Sequence, residues 1–213
     1  MGLPSEIITG LIGSSGYSGY QIDNSVVIGN GTTDYFTRTF AAGSRTTWTV
    51  SCFVKRAQLG EFQGIISSAS QYELIRFNSD DTIKIRFNNK DRDTNAKFRD
   101  VGSFYHIVWI VDTTDGTAAS RNRLIVNGVE QTFASSTNPT ASENSNDWNT
   151  AVTHYLGSQS SGDQSVAGYL SDFRYCDGTA YTATDFGEFY NGGTNWRPIQ
   201  PSGLTYGTNG FYL

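Results

Sequence analysis

Methionine occurs only as Met1, proline four times, cysteine twice and histidine twice, and charged residues make up only 16% of the 213. No apolar run reaches the roughly 18 residues that a membrane-spanning helix needs. Gly-Leu-Pro-Ser-Glu follows Met1 with no basic stretch, so neither a span nor a secretory signal is expected, and no membrane insertion. Cys52 and Cys176 are too few for a disulfide scaffold. The net charge of −5, from 15 Lys+Arg against 20 Asp+Glu, removes the counterion-release term that drives binding to polyphosphates. Nucleic acid is therefore not an expected partner.

Abundance points the other way. There are 23 glycines, 12 tyrosines, 13 phenylalanines and 4 tryptophans, and most of the rest is Ser, Thr, Asn and Val rather than Ala, Leu, Glu and Lys. This is strand and turn material. The aromatic side chains suffice to build a core for one domain of this length.

Residues 1–23 read as a Gly/Ser/Tyr-rich arm, with Gly10, Gly13, Gly16 and Gly19 interleaved with Tyr17 and Tyr20. From Thr33 onward, short apolar runs alternate with turn clusters about every ten residues, the spacing of a sandwich or barrel. Trp48, Val50, Cys52 and Val54 fall on one face of the clearest strand. Strands are also predicted at 62–68, 72–77, 83–87, 104–111, 123–126, 129–133, 152–156 and 168–176. The run 104–111, apolar on both faces, should lie centrally and be covered on each side. Asn127-Gly128 is a strong hairpin signal. Thr182 to Phe189 is the one predicted helical turn, capped by Thr182 or Thr184 with Asp185 in its first turn. Ten to twelve strands without appreciable helix imply an all-β fold, a two-sheet antiparallel jelly-roll sandwich spanning 24–190 with extended Gly/aromatic-rich termini. Residues 191–213 form the second such arm, ending on apolar residues that call for a groove to lie in.

Motifs for chemistry are scarce. His106 and His154 both fall inside strands, where a satisfied structural role is the default. Gly-x-Ser-x-Gly, the phosphate-binding Gly-x4-Gly-Lys-Ser/Thr and His-Glu-x-x-His are absent. None of the six glutamates has an acid two positions away, so the Glu-x-Asp-x-Glu strand of glycoside hydrolysis is missing, and the acid pairs at that spacing or closer, Asp80/Asp81 and Asp91/Asp93, fall in predicted turns as solvated carboxylates. No catalytic residue is assigned. Asp91-Arg-Asp93-Thr-Asn95 opens like a calcium loop, but Ala96 and Gly102 break the pattern. A looser calcium site from Asp112, Asp115, Asp147 or Asp163 would require ligands from separate loops; otherwise no cofactor or metal is expected. Lys84, Arg86, Lys90, Arg92, Lys97 and Arg99 put six cations within sixteen residues, either a solvated face or a docking surface for an acidic protein.

Several segments in order are familiar. Thr47–Lys55, Tyr105-His106-Ile107-Val108 to Asp112, Leu124-Ile-Val-Asn-Gly-Val129, Tyr155-Leu-Gly157 and Gly168–Tyr175 resemble the concanavalin A-like, laminin-G-like jelly roll. Asn195-Trp-Arg-Pro198 followed by Tyr206-Gly-Thr-Asn-Gly-Phe-Tyr-Leu213 is similar to a segment that follows such domains in virion proteins of tailed bacteriophages. The resemblance implies a non-enzymatic virion structural protein, a capsid decoration or cement protein assembled in the host bacterial cytoplasm. It would dock on a major capsid or tail protein as a homo-oligomer such as a trimer. Trp196, Phe211, Tyr212 and Leu213 are then the expected contact residues, unless they seal their own core. The alternative is a module binding host-surface glycans, in which Trp148, flanked by Asn146 and Asp147, stacks on a sugar ring.

Overall fold

The strand alternation read from the sequence assembles into two facing antiparallel sheets. A computed structural model describes residues 19–31, 33–134, 137–160, 164–190 and 192–213. In chain order the strands are β1 (Val26–Ile28), β2 (Phe36–Thr39), β3 (Thr47–Arg56), β4 (Gln63–Ser68), β5 (Leu74–Phe77), β6 (Ile83–Phe87), β7 (Lys90–Asp93) and β8 (Tyr105–Asp112). They continue as β9 (Asn122–Val126), β10 (Val129–Glu130), β11 (Thr153–Leu156), β12 (Gly168–Asp177), β13 (Gly187–Tyr190), β14 (Asn195–Pro198) and β15 (Phe211–Tyr212).

One sheet has seven strands in the order β1-β12-β3-β8-β9-β10, with β15 also on β12. β3 occupies one side of β12, so β1, against 168–170, and β15, against 174–175, share the other. The second sheet runs β2-β11-β4-β5-β6-β7, and β13 and β14 pair as a separate ribbon. Asn127 and Gly128 take φ of 48° and 75°, the left-handed pair that a two-residue hairpin needs to join β9 to β10.

The main core lies between the two sheets. Trp48, Val50, Cys52 and Val54 of β3 and Ile107, Trp109 and Val111 of β8 point into it. The alternate residues of β8, Val108 and Ile110, belong to a second, smaller cluster on the outer face with Ile125, Ala183 and Phe186, partly covered by Tyr181, Trp196 and Leu204. The central strand is thus covered on both faces, as its apolar run predicted. Both cysteines are buried free thiols, on β3 and β12.

Three details depart from the sequence expectation. Within 182–189 only Ala183–Asp185 is helical, a 3₁₀ turn whose Asp185 carboxylate accepts from the Thr182 N–H (2.7 Å) and hydroxyl (2.8 Å) before the chain extends into β13, and a further 3₁₀ turn that the sequence did not signal lies at Ala118–Ser120. The return strand from the 127–128 hairpin is two residues, not five. The C-terminal segment folds back on its own domain: β14 pairs with β13, and β15 with β12. Of the N-terminal arm, residues 1–18, including Gly10, Gly13, Gly16 and Tyr17, lie outside the described residues; Tyr20 reaches Asp172, its hydroxyl donating at 3.2 Å.

Candidate functional site

The outer face of the seven-stranded sheet holds a buried polar group that needs partners. His106 of β8 points outward and is fully buried. Its Nδ1 accepts a hydrogen bond from the Trp196 indole N–H at 2.8 Å. An indole can only donate, so the imidazole proton sits on Nε2, which donates to Ser51 Oγ at 2.9 Å. Burial with no compensating charge holds its pKa down at about 3, and the ring stays neutral. It stacks on Phe53 (4.3 Å between centroids) and on Trp196 (5.8 Å). His106 is therefore a fixed scaffold rather than a proton shuttle.

Trp196 reaches this position because two glycines leave room. A Cβ at Gly128 would sit 2.2 Å from the indole ring, and one at Gly187 would sit 2.5 Å from it. The cross-strand partner Phe189 meets Trp196 edge-on at 4.9 Å. Beside this stack lies a groove of about 840 Å³, within the size range of small-ligand sites. Its floor includes Phe53, and its walls come from residues 22–25, Phe104, the 127–129 hairpin and the β13–β14 ribbon. Phe104 is 39% exposed and Phe189 44%. The side chains of Asp23, Asn24, Ser25 and Asn195 make no hydrogen bond among the described residues. Asn127 uses only its Oδ1, which accepts from the His106 N–H at 2.8 Å. The groove thus combines accessible ring faces with unused donors and acceptors.

The residues singled out from sequence are distributed otherwise than expected. Trp148 is fully buried, packed against Trp48 (5.8 Å), Trp109 (5.3 Å) and Phe40 (6.1 Å). It plugs the main core from a loop and cannot stack on a sugar, a correction to the reading of that loop as a glycan platform. Asp147 is buried too and accepts from the Ser70 N–H. Asn146 is exposed, but its N–H and that of Asp147 are held by buried Glu73 (3.0 and 3.3 Å). Burial pushes the Glu73 carboxyl up to about 7, despite these N–H groups.

The four expected contact residues separate into two places. Trp196 lines the groove, whereas Phe211, Tyr212 and Leu213 line an apolar cleft of about 200 Å³ between β15 and β2. Phe211 stacks on Phe173 at 5.7 Å. Tyr212 lies 4.0 Å under the Arg174 guanidinium yet stays 55% exposed, and Leu213 49%.

The six clustered cations are matched within the chain. Lys84 and Arg86 bind Asp91, Lys90 binds Glu143, Arg99 binds Asp81 at 2.9 Å and Lys97 lies 4.0 Å from Asp80. Buried Arg92 donates to the Asn122 carbonyl and lies over Phe133. This hairpin is no open basic surface. Asp112 and Asp115 close their own turns on the N–H groups of Thr114 and Thr117, and Asp163 lies outside the described residues. Among the described residues, no group of three or more His, Cys, Asp or Glu side chains gathers to hold an ion.

A laminin-G-type family model, described as the concanavalin A-like lectin/glucanases superfamily, matches residues 30–185. The chain belongs to this superfamily. Its concanavalin A-like fold is similar to those of solved structures that include the following. A native heptameric SAP-like pentraxin from Limulus polyphemus has TM-score 0.55 and 17% identity, over 74% of this chain and 76% of that one. A putative carbohydrate binding protein from Bacteroides ovatus has TM-score 0.56 and 12% identity, over 84% and 48%. Domains LG4-5 of the mouse laminin alpha1 chain have TM-score 0.51 and 11% identity, over 92% and 48%. The chain spans about half the length of the last two. No curated protein sequence matches it. At these identities the likeness establishes the fold.

The sequence reading missed Phe104, Phe189, Asn24 and the second role of Asn127. Asn127 showed only a turn signal, and Phe104 only the start of a strand. The one available hint was Trp196, which the motif Asn195-Trp-Arg-Pro198 had marked.

Proposed function

We propose that this concanavalin A-like domain is a non-catalytic saccharide-binding module and that the groove beside Trp196 is its binding site. One observation carries the reading: exposed aromatic rings and unengaged amide, hydroxyl and carboxylate groups converge in one concave site. Sugar rings have apolar C–H faces and hydroxyl rims, and that combination matches both. Asp23 is the only carboxylate lining the groove among the described residues, whereas glycoside hydrolysis needs two in opposed positions. Lectin-like membership supports the same reading. Calorimetric titration of the intact chain with soluble oligosaccharides tests it. Binding that is lost in the Phe104→Ala/Phe189→Ala variant, with an unchanged melting curve, supports the site; binding indifferent to both changes sinks it.

A second reading is favoured by the sheet edges at β1, β2 and β15. Val27, Phe36, Tyr212 and Leu213 are exposed apolar side chains on or beside β1, β2 and β15, strands that each lie at a free sheet edge. Unpaired edges are natural places for a neighbouring subunit to add a strand. On this reading the protein is a structural component of a tailed-bacteriophage virion, docked on a capsid or tail protein or on copies of itself. Co-sedimentation with particles lacking the protein distinguishes it. Saturable binding abolished by Phe36→Asp/Leu213→Asp supports docking through this edge, and failure of the folded wild-type chain to sediment excludes it.

A further inference from the structure

We propose that the groove selects uncharged saccharide chains and rejects acidic ones; this rests on the saccharide-binding reading above. Most of the lining residues fall outside the family match at 30–185: Ile22 to Ser25 on one wall, and Phe189, Tyr190, Thr194, Asn195, Trp196 and Pro198 on the other. The site is thus built by segments this chain adds to the shared sandwich. Its selectivity must be read from these residues themselves.

Their charge is informative. Among the described residues no Lys, Arg or His lines the groove, and its one carboxylate is Asp23, an exposed acid with no cationic partner. Of the nearby cations, Lys55, two residues beyond Phe53 on β3, does not line the groove and acts on Asp100, and three arginines are held in ion pairs. Arg197, next to Trp196 on β14, binds Glu188 at 2.7 Å and lies over the Tyr190 ring at 4.9 Å. Arg174, near Ser171 on β12, binds buried Asp172 at 2.7 Å. Arg123 of β9 binds Glu130 of β10, its diagonal neighbour, at 2.6 Å. A sialic acid, uronate or sulfated sugar would therefore bring its anion beside Asp23 and lose hydration with no guanidinium or ammonium to replace it. A neutral chain meets no such obstacle: its hydroxyls can donate to the Asp23 carboxylate and pair with the amides of Asn24, Asn127 and Asn195. Its ring faces can lie on Phe104 and Phe189.

The test is a titration of the full chain against neutral hexose and pentose oligosaccharides. Uronate-, sialate- and sulfate-bearing oligosaccharides of similar length form the second arm, at low and high salt. Neutral ligands should bind with an affinity that salt does not change, and acidic ones about tenfold more weakly or not at all, by simple Coulomb repulsion. Asp23→Asn, a change at an exposed position, should narrow that gap. Acidic ligands that bind as well as neutral ones, and lose affinity in Phe104→Ala/Phe189→Ala, would overturn the selectivity while leaving the groove a saccharide site. Absence of binding by every ligand of both classes would overturn the saccharide reading and this inference with it.

Discussion

The two faces of the seven-stranded sheet put tryptophan to opposite uses. On the inner face Trp148 arrives from a loop and is closed in by Trp48, Trp109 and Phe40 beneath a whole second sheet. On the outer face Trp196 arrives on a two-stranded ribbon, spends its indole N–H on His106, and remains partly open beside a groove. The difference is one of cover. Six strands suffice to seal a face, whereas two short strands and a pair of terminal segments leave a concavity. A site can form where the sandwich is incompletely roofed.

The largest expected effect comes from removing part of the outer covering. Asn209 is buried and bonds Asp177, Asn149 and both backbone groups of Ala41, while Tyr206 and Tyr212 flank Arg174. Deleting residues 199–213 orphans these groups and strips β15. We expect a loss of about 5 kcal/mol or more, a fall of at least about 10 °C in Tm by calorimetry. A deletion variant that melts like the wild type would show the segment to be an ornament.

Next in size, Trp148→Ala should cost about 3–5 kcal/mol in urea denaturation and leave any saccharide affinity of the remaining folded protein intact. Trp196→Ala should cost about 2 kcal/mol, since its site is only half enclosed, and should abolish binding. Equal stability losses, or binding lost in the first and kept in the second, would erase the distinction between the faces. Trp196→Phe sharpens it further. The stack on His106 survives but Nδ1 loses its donor, so about 1 kcal/mol is expected in the same assay.

Titration gives the smallest effects, with opposite signs. Burial holds His154 at about 4 against 6.5 for a free imidazole, and His106 lower still. The unfolded chain therefore takes up protons below pH 6.5 that the folded chain refuses. Their contribution to stability is complete above 6.5 and falls as the pH drops toward 4. Glu73 behaves inversely. Pushed up from 4.5 to about 7, chiefly by burial, it contributes stability below 4.5 that disappears as the pH rises through 7. Glu73→Gln should remove that slope between 4.5 and 7, on the order of 1 kcal/mol, and leave the opposing histidine slope, which overlaps it from 4.5 to 6.5, unmasked. Denaturation midpoints measured across this range would show either slope, and an unaltered profile in Glu73→Gln would refute the assignment.

Legibility followed range of interaction. The strand at 47–56 was readable from its period-two alternation, and those at 105–112 and 168–177 from short apolar-rich runs between turn clusters, because these signals are local. The edge strand β2 was not, since Phe36–Thr39 is exposed throughout and carries no alternation. β13 to β15 were hidden for another reason: their apolar residues answer to Phe186, His106 and Phe173, partners that lie far away along the chain or across a turn. The same holds for the site. Trp148 sits among Asn and Asp residues, which suggests a wet loop, yet its ring is the plug of the dry core. Trp196 sits among similar residues and does line a groove.

Composition and periodicity by themselves determined an all-β, glycine-turned, acidic sandwich with a central strand covered on both faces, because hydrophobic alternation and turn chemistry act within a few residues. The tertiary structure alone decided which tryptophan is buried, which proton His106 carries and which polar groups are left unengaged. It also decided that segments at the two ends of the chain meet over one sheet to form a groove. These depend on contacts between residues up to about 170 positions apart, which the sequence contains but does not display.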